Sequence, residues 1–304
     1  MSTAFVFPGQ GSQAVGMGSD WLGRSALVQQ TFDEADAALG ESLSRIILQG
    51  PMEDLTRTEN TQPALLTVAV AYWRVLQAEG LAPDVVAGHS LGEYSALVCA
   101  GALGFADAVR LTRLRGEAMQ NAVPLGVGTM AAIIGIKDAA VIDALCEEAA
   151  QGQVVEPAGL NTPGQVVIAG HVEAVNRAVD LAKDKRGMGK LLNVSAPFHC
   201  SLLAPAGEAL AEALADVAIG PLSVPYVPNV TGAWTEDPSA EVVKANLVEQ
   251  VSKAVLWEAT LRSMMEHGVD RWLEVGAGRT LVGLVKRLER KANVDSFESE
   301  SWRA

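Results

Sequence analysis

Cysteine is scarce. The 304 residues hold three, Cys99, Cys146 and Cys200. An odd number without ligand-like spacing argues against a disulfide framework or a zinc site, and a reducing, cytoplasmic setting is expected. Basic charge is also lacking: the formal net charge is −13. An ordinary nucleic-acid binder would be basic, so that class is excluded, and an acidic partner would need a local basic patch. No apolar run approaches the roughly 18 residues of a membrane span. The opening "MSTAFVFPGQG" has no basic n-region and only a very short apolar stretch, so no signal peptide is expected. Repeats and low-complexity tracts are missing too. Aromatics are 5% of the chain, which leaves close packing to small apolar residues.

What is present suits a well-packed globular enzyme: 49% hydrophobic and 19% charged residues, in a chain long enough for two domains or one with an insertion. Ala4–Phe7 reads as a strand ended by Pro8-Gly9. Ser25–Leu39 reads as a helix. A second is expected from Thr61, with Pro63 in its first turn, to Gly80. "PDVVAGHS" is a buried strand running into Ser90, followed by helices over "LGEYSALVCAGAL" and "FADAVRLTRLRGEAMQNAV". The middle reads as strand Gly128–Ile136, helix Asp138–Ala150, strands Val154–Ala158 and Gln165–Gly170, helix Val172–Lys185 and strand Lys190–Ser195. This β-α-β-β-α-β order is that of a ferredoxin-like module. "VPYVPNV" and "RWLEVGAG" then read as strands, each followed by a helix. The class expected is α/β, a mainly parallel sheet with the ferredoxin-like module inserted. The tail "NVDSFESESWRA" is expected to fray.

Gly88-x-Ser90-x-Gly92 fits the nucleophile elbow. A strand must turn sharply into a helix there, side chains at the glycines would collide, and the first helical N–H groups, lacking intrahelical partners, face the reacting centre. The bland alternative is a capping serine in a glycine-rich turn. A nucleophilic serine needs a base. His89 adjoins it and should point elsewhere; His171 and His267 sit at helix ends, where surface or capping roles suffice. His199, in "SAPFHCS", lies where the chain re-enters the large domain, and loops at such junctions line clefts. Cys200 follows His199 directly and has no motif of its own. Ordinary α/β-hydrolases place the histidine last, after an acid; a mid-chain histidine argues against an ordinary esterase. Gly9-x-Gly11-x-x-Ala14 formally fits a dinucleotide motif, but Gly16 and Gly18 would break the helix that motif requires. Gly276-Ala277-Gly278 reads as a strand–helix turn.

With these residues assembled, the sequence resembles the malonyl-CoA:acyl carrier protein transacylases and the acyltransferase domains of polyketide synthases. The matching blocks are "FVFPGQGSQ", "TQPALLTVAVA", "GHSLGEYSALVCAG", "RLRGEAMQ", "GTMAAIIG", "NTPGQVVIAG", "SAPFHC" and "LEVGAG", in the family's order along nearly the whole chain. The resemblance implies an α/β-hydrolase-like domain (residues 1–125 and 197–304) with a ferredoxin-like subdomain (126–196). It implies Ser90 as nucleophile and His199 as base, an oxyanion hole from the backbone N–H groups of Gln10 and Leu91, and the Gln250 backbone carbonyl orienting the histidine. Arg115 would bind the malonyl carboxylate, with Phe198 and Asn161 also at the substrate; only the resemblance selects Arg115 over Arg110 and Arg113. The implied partners are malonyl-CoA and phosphopantetheinylated acyl carrier protein, with no metal or other cofactor, in a monomer. Lys183, Lys185, Arg186 and Lys190, with Lys286 and Arg287, are the candidate carrier-docking patch; solvated helix faces explain them equally well. The alternatives are a transacylase for methylmalonyl or acetyl groups, a serine thioesterase or esterase, and a carrier-binding protein without catalysis.

Overall fold

A computed structural model describes residues 2–303 and contains two sheets. The first holds β1 (Ser2–Phe7), β2 (Val85–Gly88), β7 (Val269–Glu274) and β8 (Asn293–Ser296), in the order β2-β1-β7-β8, every pairing parallel. Parallel strands covered by helices on both faces read as continuous apolar runs, and β1 shows why. Phe5 and Phe7 point into one core with the helix Thr58–Ala78, while Ala4 and Val6 point into another with Trp257 and Leu261.

The second sheet holds β3 (Gly128–Ile134), β4 (Val155–Thr162), β5 (Gln165–His171) and β6 (Met188–Leu191), antiparallel in the order β4-β5-β3-β6. With helices Ala139–Ala150 and Val172–Asp184 between strands, this is the expected ferredoxin-like arrangement. The period-2 alternation of strands divides its faces. Ala131, Ile133 and Ile168 meet the two helices, whereas Met130, Ala158 and Val167 turn toward the cleft. The chain leaves for this sheet at Gly128 and returns at Pro197. A Cβ on Gly128 would lie 2.4 Å from the Pro197 ring, so this close crossing admits no side chain.

Four expectations need correction. The helix assigned from Thr61 begins at Thr58, which puts Pro63 in its second turn; Thr58, Asn60, Thr61 and Gln62 are all buried, and that packing extends the helix past the point where proline alone would start it. The last small-sheet strand is Met188–Leu191, not Lys190–Ser195, because Leu192, Asn193 and Val194 leave the sheet to line the cleft. "VPYVPNV" contributes a single parallel bridge from Tyr226 to Val86. Pro225 and Pro228, without N–H groups, cannot extend it. The tail is docked rather than frayed: β8 pairs with β7, and Phe297 stacks on Tyr72 at 4.1 Å and against Trp302.

Candidate active site

β2 delivers Ser90 to the mouth of a cavity of about 420 Å³ between the two sheets. The elbow is sterically enforced. A Cβ on Gly88 would lie 1.8 Å from the Gly92 carbonyl carbon, and one on Gly92 would lie 2.0 Å from the Phe7 oxygen. Ser90 itself is held at φ 53°, a left-handed conformation costly for a residue with a side chain. Asn229 anchors it, accepting from the Ser90 N–H at 2.7 Å through Oδ1 and donating through Nδ2 to Gly88 O at 2.6 Å.

His199 meets it from the chain's return out of the small sheet, also at positive φ, 62°. Its Nε2 is 2.7 Å from Ser90 Oγ and its Nδ1 is 2.7 Å from the Gln250 backbone oxygen. A carbonyl only accepts, so Nδ1 carries the proton and Nε2 presents a lone pair to the serine hydroxyl. Burial, reinforced by the nearby Arg115 charge, lowers the His199 pKa to about 3, so the imidazole is neutral at ordinary pH. Gln10 and Leu91 both line the cavity, and neither backbone N–H makes a hydrogen bond among the described residues.

Arg115 is 2% exposed, unlike Arg110 and Arg113, whose guanidinium groups pair with Asp107 and Glu41 at the surface. It comes from the helix Phe105–Asn121, which approaches the helix Thr58–Ala78 closely at Gly116; a Cβ there would lie 2.6 Å from Glu59 Cα. That approach lets Arg115 Nη1 donate to Gln62 Oε1 at 2.6 Å, while Nη2 reaches Gln250 Oε1 at 2.8 Å and Ser90 Oγ at 3.1 Å. Its Nε has no partner, and no carboxylate pairs with it directly among the described residues.

Phe198 is buried on the cavity wall beside His199. Asn161 also lines the cavity, with its Oδ1 accepting from His89 Nε2 at 2.8 Å. His89 thus points away from the serine oxygen, as sequence adjacency suggested. His171 accepts from Val154 N–H, and His267 donates to Ser263 O. Cys200 is buried, its thiol donating to Pro197 O and its pKa pushed up to about 12 by burial. Gly9–Ala14 opens no helix; the first begins at Ser19. The six docking candidates are exposed. Lys183 pairs with Asp180, and Arg287 donates to Gln165 at the cavity rim.

Sequence reasoning missed Gln62, Glu93, Asn229 and the Gln250 side chain. Only Glu93 left a readable signal, as a lone acid within a helix, Gly92–Cys99, that is otherwise small, apolar or uncharged and wholly buried.

A half-buried serine held by a buried imidazole at a strand-to-helix elbow, with two unengaged amides and a guanidinium beside it, defines a serine acyl-transfer enzyme. The comparisons agree: the acyl transferase domain model matches residues 4–299, and the chain belongs to that family. It is 51% identical over 287 residues to the malonyl CoA-acyl carrier protein transacylase of Escherichia coli K12, covering 94% of this chain and 92% of that one. Against the Bacillus subtilis 168 protein of the same name the identity is 43%, covering 95% and 90%. Among solved structures it superimposes with TM-score 0.94, at 47% identity and covering 97% and 96%, on a malonyl-transacylase captured with a holo type II polyketide-synthase acyl-carrier protein.

Proposed function

We propose that this enzyme transfers a malonyl group from malonyl-CoA to the phosphopantetheine thiol of acyl carrier protein through a malonyl ester on Ser90. The observation that carries the reading is the Arg115 guanidinium: buried, without a direct carboxylate partner, and 3.1 Å from the nucleophile. A buried cation so placed suits an acyl group that brings its own carboxylate, and the planar fork can grip one with two bonds.

His199 Nε2 removes the Ser90 proton as Oγ attacks the thioester carbonyl. The Gln10 and Leu91 N–H groups receive the oxyanion; losing one such donor costs about 100- to 1000-fold in rate. His199, its Nδ1–H held by the Gln250 carbonyl, then protonates the departing coenzyme A sulfur. Carrier-protein thiol attacks the ester by the reverse course, with His199 again as base, which gives ping-pong kinetics. No metal or cofactor takes part. Acetyl would leave Arg115 without a carboxylate in direct contact, a mismatch worth up to about 2–5 kcal/mol. Phe198 narrows the space for an α-methyl group, although one methyl is worth only about 1–3 kcal/mol. Asn161 shapes the same wall through its bond to His89.

Two of the exposed cations lie at one end of the small sheet: Gly135, where β3 ends, abuts both Gly164 and the Arg186 backbone, and Arg287 meets Gln165 at the start of β5. Lys183, Lys185, Arg186, Lys190, Lys286 and Arg287 form the carrier-docking patch in this reading, near the cavity mouth. The enzyme acts as a cytoplasmic monomer; the three free cysteines suit a reducing compartment. Among the described residues, no helix is long and apolar enough to cross a membrane.

Turnover of malonyl-CoA with and without holo carrier protein tests the reading. Coenzyme A release should require the carrier protein after the first acylation. Equal release without it would make the enzyme a thioesterase.

A further inference from the structure

We propose that Glu93 is the buried countercharge that sets how strongly Arg115 favours a carboxylate-bearing acyl group over an uncharged one. Glu93 follows Ser90 by three residues and is 1% exposed. Its Oε2 accepts from Gln250 Nε2 at 2.7 Å and from Asn229 N–H at 3.1 Å; its Oε1 has no partner. The other end of the same Gln250 amide, Oε1, accepts from Arg115 Nη2 at 2.8 Å. One side-chain amide therefore separates carboxylate from guanidinium, its N–H end toward the anion and its carbonyl toward the cation. In a buried setting, charges at that separation interact far more strongly than in water.

The charge count gives the consequence. With an uncharged acyl group on Ser90, ionised Glu93 and Arg115 balance. With a malonyl group, the same site carries one excess negative charge unless Glu93 holds a proton. Ionised Glu93 therefore opposes malonyl and tolerates acetyl, and neutral Glu93 does the reverse. Burial raises the Glu93 carboxyl to about 7, against the pull of Gln250, the Asn229 amide and Arg115, so both forms are within reach near neutrality. The other titratable groups facing it stay in one state. Arg115 remains charged; Tyr226 on the facing segment and Tyr94 on its own helix are pushed up by burial and stay neutral. His199, beyond Arg115, is neutral as well.

This inference rests on the malonyl reading, and its test separates the two. Initial rates of Ser90 acylation by malonyl-CoA and by acetyl-CoA are measured by intact-protein mass, and their ratio is followed from about pH 6 to about pH 9. The ratio cancels effects on the Ser90–His199 pair common to both substrates. For the unaltered protein it should fall about three- to tenfold as Glu93 ionises. E93Q can keep both hydrogen bonds through its remaining oxygen, because the Oε1 position has no partner to lose. Its ratio should be flat across the range and exceed that of the unaltered protein at the alkaline end. A flat ratio in the unaltered protein, or one that still falls in E93Q, overturns the proposal. If E93Q does not fold, the unaltered protein's series decides alone. If malonyl does not load at all, the malonyl reading itself fails.

Discussion

The interiors beneath the two sheets are built from different residues. Behind the small antiparallel sheet, the core is Ala, Val, Ile, Leu and one Cys, from Ala131 and Ile133 to Ile168 and Ala178. Beside the parallel sheet, Glu93, Arg115, Gln250 and Asn229 are buried together and joined by hydrogen bonds. An apolar core tolerates loss of one methyl group in proportion to the cavity left, whereas a buried polar network loses much more when one member goes, because its partners are stranded. The small sheet is therefore a wall of the cavity, and the polar network by the large one carries the chemistry. Both reacting residues, Ser90 and His199, sit at positive φ where the two regions join. Such strain persists only where the surroundings over-determine the backbone.

The sharpest contrast comes from the network's centre. Ser90→Ala should abolish acyl-enzyme formation while leaving melting temperature nearly unchanged; residual loading at another residue would move the chemistry elsewhere. Next, Arg115→Ala should reduce malonyl transfer by roughly 30- to several thousand-fold, the range of a lost buried charge partner, and shift preference toward acetyl. Unchanged selectivity would refute the carboxylate clamp.

The pH behaviour follows from the same burial. With His199 lowered from 6.5 to about 3, Ser90 acylation should show no histidine titration near pH 6.5. Between those values the unfolded chain binds a proton at this site that the folded chain does not, so the site's contribution to stability falls as pH drops through that window. A loss of acylation by malonyl-CoA and acetyl-CoA alike as pH falls through 6.5 would contradict a neutral buried base.

On the wall, Ile168→Ala should cost about 2–5 kcal/mol of stability with little change in acylation rate per folded molecule. A rate loss as large as that of Arg115→Ala would erase the distinction between the regions. Smallest is the surface effect: charge reversal at Lys185 and Arg186 should raise the carrier-protein KM severalfold, less so at high salt, with malonyl-CoA loading unaffected. An unchanged KM would place docking elsewhere.

Much of this was legible along the chain because it depends on local rules. Alternation of strand and helix announced both sheets, and the glycines flanking Ser90 announced the elbow before any distance was known. What escaped depended on long-range packing. Asn229 lies 139 residues from the serine whose N–H it accepts, and nothing in "VPYVPNV" signals that bond. Gln62 was hidden in a run that reads as an ordinary helix start, and the true start was set by burial of Thr58, Asn60, Thr61 and Gln62. The tail looked polar enough to fray, but Phe297 and Trp302 supply an aromatic anchor that composition alone undervalues. Arg115 could be singled out among its neighbours only through the family resemblance; burial is what distinguishes it physically.

The most direct test is to expose the protein briefly to malonyl-CoA, digest it, and locate the adduct by mass spectrometry. A malonyl ester on the peptide containing Ser90, lost on adding holo carrier protein, is the predicted result. An unmodified Ser90 peptide in protein that still releases coenzyme A would contradict the account.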